Sequence, residues 1–115
     1  MTHANSLYFE RRTAALLKRL GMVGPFVGAT LVCVPHRCGN LRCRCATGEK
    51  HPSWRLTYKD KEQKTVTVYV PLGLLEDVRL WVKNYRAFKL LGSEISEAQL
   101  ARVRLYVREK RRKTR

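Results

Sequence analysis

Cys38, Cys43, Cys45 and His51 bring three thiols and an imidazole into one short stretch, spaced C-x4-C-x-C-x5-H. Soft sulfur and nitrogen donors packed this closely suit a metal ion. Their number and type match the tetrahedral site of a structural zinc, one per chain. Gly39 follows the first thiol and tolerates the positive φ that a tight metal loop demands. Arg37, Arg42 and Arg44 flank the thiols and are expected to favour the thiolate form. The spacing is not the C-x2-C knuckle, so other readings stay open: reduced thiols in an ordinary loop, a disulfide, or an iron–sulfur cluster drawing on a fourth thiol. Cys33 and His36 are the reserve ligands. Cys33 follows the apolar run Ala29-Thr30-Leu31-Val32 and reads better as a buried core thiol.

The elements that must position this loop can be read from periodicity. Leu7, Thr13, Leu16, Leu17 and Leu20 recur at helical spacing, predicting a first helix over 6–20 that stops at Gly21. A Gly/Pro-bounded linker over 22–27 leads to a short strand over 29–34, which Pro35 should end. The metal loop spans 37–51. Trp54, Leu56 and Tyr58 then alternate with Arg55, Thr57 and Lys59, and Val66, Val68 and Val70 alternate with Thr65, Thr67 and Tyr69. That period of two across the polar turn 60–63 predicts a β-hairpin. Leu74, Val78, Trp81, Val82, Tyr85 and Phe88 mark a long amphipathic helix over 71–91, with Trp81 packed on the sheet. Gly92-Ser93 should break it, and Ser96 with Gln99 forms a capping-box pattern for a last helix and frayed tail over 96–115. The fold expected is α+β in one small domain over 1–115: an N-terminal helix, a three-stranded antiparallel sheet with an inserted Cys/His loop (29–70), and two C-terminal helices.

The segments CGNLRCRCATGEKH, PSWRLTY, VYVP and VRLWVKNYRAF together resemble the signature of a family of short bacterial and archaeal domains of unknown function. The resemblance covers 28–91. The chain departs from that signature at Asn40-Leu41, at the missing glycine after His51, and at Ser53 in place of an aromatic. The resemblance implies a fold and a metal-loop site. It implies no activity.

Charge bounds the partners. The 115 residues carry 24 Lys and Arg against 9 Asp and Glu, a formal net charge of +15. That excess predicts attraction to a polyanion: DNA, RNA or an anionic membrane face. Arg102, Arg104, Arg108, Lys110, Arg111, Arg112, Lys113 and Arg115 crowd the C-terminal stretch, opposed only by Glu109. With Arg37, Arg42 and Arg44 they are the candidate nucleic-acid contacts. No apolar run is long enough to cross a membrane. Arg11-Arg12 ahead of an apolar stretch imitates a twin-arginine leader, but Gly21, Gly24, Pro25 and Gly28 interrupt that stretch. A cytoplasmic location is expected, where thiols stay reduced for a metal.

No catalytic constellation is present. There is no P-loop and no dinucleotide fingerprint, and Glu76 and Asp77 are adjacent, so they diverge on a helix. The expectation is therefore a non-enzymatic nucleic-acid-binding module, an accessory to a mobile element or an RNA-processing system. The alternatives are a protein-binding or self-associating module using the seam Leu100, Val103 and Val107, and a thiol-redox or metal-handling protein.

Overall fold

The computed structural model describes residues 2–114. In chain order they form helix α1 (Thr2–Leu20), strand β1 (Thr30–His36), a short 3-10 turn (Arg44–Ala46), strands β2 (His51–Lys59) and β3 (Thr65–Val70), and helix α2 (Leu75–Thr114), entered through a second 3-10 turn at Leu72–Leu74. The chain divides into two compact units. One runs from Pro25 to Tyr85, and the other combines the segments before and after it.

In the Pro25–Tyr85 unit the three strands form one antiparallel sheet in the order β1-β2-β3. Leu31 pairs with Leu56 and Cys33 with Trp54. On the other side Trp54 pairs with Val70, and Leu56 with Val68. Strand alternation therefore collects the apolar residues on one face. That face meets the start of α2: Val70, Leu75, Val78 and Val82 form the buried core, with Val27, Leu31, Trp54, Leu56 and Trp81 packed against it. Trp81 lies where the helical stripe predicts, half-buried at the edge of that core. Arg79 stacks on Trp54, with its guanidinium carbon 4.8 Å from the ring centroid.

The hairpin turn is held by Asp60, whose carboxylate accepts hydrogen bonds from the Glu62 and Lys64 backbone N–H groups at 2.9 and 3.0 Å. The linker before β1 is docked on α2 of the same unit. Val27 N–H donates to the Trp81 carbonyl at 3.2 Å, and the Asn84 side-chain amide donates to the Pro25 carbonyl at 2.7 Å. Gly28 sits against the Tyr85 ring so closely that a Cβ would lie 3.0 Å from it, so a larger residue would require the ring to shift.

Three expectations need correction. First, β1 continues through Pro35 and His36, which pair with Pro52 and His51. Because β1 is an edge strand, one side of its backbone has no ladder to complete and Pro35 is tolerated. Second, the C-terminal region is one helix and not two. α2 runs for 40 residues through Gly92 and Ser93 without a break and does not fray before Thr114. Arg115 lies outside the described residues. The reason for this continuity lies in the second unit. There Leu16 of α1 and Leu91 and Ala98 of α2 are buried, and Arg12 pairs with Glu94 while Arg102 pairs with Glu10 at 2.9 Å. Gln99, expected to cap a new helix, instead accepts a hydrogen bond from the Thr13 hydroxyl at 3.0 Å. These contacts hold the part of α2 just beyond the glycine against α1, and Leu91 just before it is buried. Third, the stripe on α1 is shifted. Leu7 and Leu17 are exposed, whereas Phe9 and Thr13 are half-buried in line with Leu16.

Candidate metal centre

The loop between β1 and β2 turns on itself twice. Gly39 adopts φ 83°, a conformation few side-chain-bearing residues accept. The Asn40 side chain accepts from Arg42 N–H at 3.0 Å, and its carbonyl accepts from Cys43 N–H at 3.0 Å. The 3-10 turn then follows, with Ala46 N–H donating to the Cys43 carbonyl at 3.1 Å and Gly48 N–H to the Arg44 carbonyl at 2.7 Å. A Cβ at Gly48 would meet that Arg44 oxygen at 3.0 Å, so the turn favours glycine there. The Arg37 guanidinium closes the loop by donating to the Cys45 carbonyl.

These turns bring all four predicted ligands together. One donor atom each from Cys38, Cys43, Cys45 and His51 lies within 4.8 Å of the others. The Cys38 and Cys45 sulfurs are 3.4 Å apart, and Cys43 Sγ is 3.0 Å from His51 Nε2. Bonds of about 2.3 Å to sulfur and 2.0 Å to nitrogen place the ligand atoms of a tetrahedral ion roughly 3.5–4 Å from one another. The donor set and its spacing thus fit one metal ion. Four residues could hold it: two from the loop's turns, one just after β1, and His51 at the first position of β2. Cys33 is on β1, paired with Trp54, and is outside the cluster; it is exposed, so it is not the buried core thiol the sequence suggested. His36 is also outside it, opposite His51 in the sheet.

The thiols differ in their environments. Hydrogen bonding holds the Cys43 thiol well below its usual range, at about 6. The backbone N–H of Cys45 contributes most, followed by His51 and then by the Cys45 and Cys38 side chains. At Cys45 the Cys38 backbone N–H, 3.4 Å from the sulfur, favours the thiolate. Burial and the neighbouring Cys38 and Cys43 thiols outweigh it and push Cys45 up. Cys45 is 1% exposed, which makes it the innermost ligand. The flanking arginines play a different part from the one expected. Hydrogen-bond donors lower Cys43, while Arg37 organises the Cys45 backbone.

The chain matches the family described as Domain of unknown function (DUF6788) over residues 8–80, more than half its length. It belongs to that family. The DUF6788 match takes in all four ligand positions and the whole sheet. It ends before the basic part of α2. No curated protein and no solved structure matches the chain.

The candidate nucleic-acid residues fall in both units. In the Pro25–Tyr85 unit, Arg37, Arg42 and Arg44 are exposed on the loop. In the other unit, Arg102, Arg104, Arg108, Lys110, Arg111, Arg112 and Lys113 lie on α2. Arg102 is tied to Glu10 at 2.9 Å. Arg104 lies 3.8 Å from Glu97, and Arg112 lies 3.8 Å from Glu109. Among the described residues no helix is long and apolar enough to cross a membrane.

Proposed function

We propose that this chain is a non-enzymatic nucleic-acid-binding module whose loop is clipped by a structural zinc. The observation that carries the nucleic-acid reading is the last part of α2. Over residues 99–114 it bears seven cations and one carboxylate on a continuous helix. The helix dipole accounts for only part of this pattern, since its pull on cations is confined to the last turn. Arg102 and Arg104 lie well before it. Arg104, Arg108 and Arg111 recur at intervals of four and three, with Arg112 alongside, so they share one side of the helix. A fixed row of guanidinium groups releases counterions from a phosphate chain at little further ordering cost. Arg42 and Arg44 add exposed positive charge at the metal loop.

Zinc is the ion that three thiolates and an imidazole at tetrahedral spacing suit best. It would join the end of β1, the loop and the start of β2, and its role would be to hold them together. A cytoplasmic setting, where thiols stay reduced, suits such a site. The test of function is titration of labelled duplex DNA, single-stranded DNA and RNA at two salt concentrations. Binding that weakens steeply with salt supports the reading, and no binding at low salt to any of the three overturns it.

A second reading has its own observation. Leu100, Val103 and Val107 are 48%, 58% and 40% exposed along α2, opposite the residues that α1 covers. Such a seam suits a protein partner or a second copy of the chain. Sedimentation at rising concentration separates self-association from a monomer that binds nucleic acid.

A further inference from the structure

One face of the sheet remains after α2 has covered the other. Alternation places Thr30, Val32 and Val34 of β1, Ser53, Arg55, Thr57 and Lys59 of β2, and Thr65, Thr67 and Tyr69 of β3 on it. Its centre is one cross-strand row, Val32–Arg55–Tyr69. Tyr69 is 63% exposed and Val32 39%. The Arg55 Nε is buried and has no hydrogen-bond partner among the described residues. The next row is Thr30–Thr57–Thr67, which adds hydroxyls. None of these face residues is acidic.

We propose that this sheet face is a stacking platform for single-stranded nucleic acid, with Tyr69 receiving a base and Arg55 facing the adjoining phosphate or base edge. The proposal rests on the nucleic-acid reading above but concerns a different surface. An aromatic ring standing free on a sheet can stack only on a base that is itself unstacked, which a single strand offers and an intact duplex does not. A guanidinium in the same row supplies the planar donor fork that phosphates and base edges accept. A face with cations and no carboxylates, in a chain of net charge +15, is complementary to a polyanion and opposed to an acidic-poor, apolar protein partner. The Thr row completes the platform with groups able to bond a base edge or a sugar hydroxyl.

The experiment uses the full chain, labelled poly-uridine RNA and labelled duplex DNA, each titrated at low and high salt. Tyr69→Ala should weaken RNA binding roughly tenfold to a hundredfold, the cost of one lost base stack, and by a similar factor at both salts. Tyr69→Phe, which keeps the ring, should bind RNA as the native chain does. Neither should alter duplex affinity. Because Tyr69 is exposed, the alanine variant removes little buried packing, and Tyr69→Phe controls for any change in the strand. RNA binding by the native chain that is indifferent to Tyr69→Ala overturns the platform while leaving the helix reading in place. Duplex binding without RNA binding does the same. If a chain carrying Arg104→Gln, Arg108→Gln, Arg111→Gln and Arg112→Gln keeps full duplex affinity, the helix reading fails, yet a Tyr69 effect on RNA would still stand. Absence of binding to either probe overturns both.

Discussion

Cys43 Sγ lies 3.0 Å from His51 Nε2, so a thiol from the middle of the loop meets the first side chain of β2. A metal at this point would tie the loop's turn to the sheet. Metal binding is folding free energy wherever the unfolded chain has no preformed site. Cys43→Ser should therefore lose the metal and loosen the His36–His51 end of the sheet, which amide exchange at Val34, His36, His51 and Ser53 would show. Cys33→Ser should keep both, because Cys33 stands outside the cluster. Metal analysis of the two variants, purified without added metal, distinguishes the outcomes.

Acid should release the metal, because protons compete for thiolate and imidazole donors. The low position of Cys43, about 6, means this ligand gives up its thiolate late as pH falls. In sign terms, a thiol lowered by folding favours the folded loop above its ordinary range and loses that contribution as pH falls through about 6. Metal retention followed from neutral to acid pH should hold through mildly acidic buffer and then be lost. Metal held undiminished into strongly acidic buffer would show that thiolates and imidazole are not its ligands.

Gly92 tests the continuity of α2. Its backbone is not left-handed, and a Cβ there would meet nothing within 4 Å. Gly92→Ala should then raise stability by about 0.5–1 kcal/mol, the ordinary gain of alanine over glycine inside a helix. A helix broken at this point through a left-handed glycine would be destabilised by the same change. Thermal or denaturant unfolding reads the sign directly.

Gly92 also shows where the sequence was misleading. Glycine followed by serine, with Ser96 and Gln99 at capping-box spacing, is the local pattern of one helix ending and another beginning. Nothing local distinguishes that from a continuous helix. The difference comes from Leu91 and Ala98, both buried, and from Thr13 claiming Gln99 across 86 positions of sequence. The hairpin was legible because period two on both sides of Asp60 leaves one solution. The metal cluster was legible because its ligands are close in sequence and the loop needs only turns to assemble them. The phase of α1 was not, since Leu7 and Phe9 compete for the same stripe and only the partner decides. The end of β1 is not legible at Pro35, because the tolerance of that proline depends on β1 lying at the sheet edge, which is a property of strand order. From the sequence Arg55 reads only as a polar partner in an alternating strand.

Trp81 anchors the Pro25–Tyr85 unit from α2. Trp81→Ala should cost about 3 kcal/mol, the low end for a large aromatic, since the ring borders the buried core and is not enclosed by it. Val78, 1% exposed, lies deeper, and Val78→Asp should unfold the unit outright by placing an unpaired charge there. Urea unfolding followed by tryptophan fluorescence measures both.

The most direct test of the central claim is the salt dependence of duplex binding by the native chain and by one carrying Arg104→Gln, Arg108→Gln, Arg111→Gln and Arg112→Gln. If this side of α2 lies along a phosphate chain, each guanidinium removed should cut the log–log salt slope by about 0.9. The quadruple variant would then bind more weakly on every sequence, with a slope shallower by roughly three to four. A variant whose slope and affinity equal those of the native chain, or a native chain that binds neither duplex nor single strand at low salt, would contradict the account.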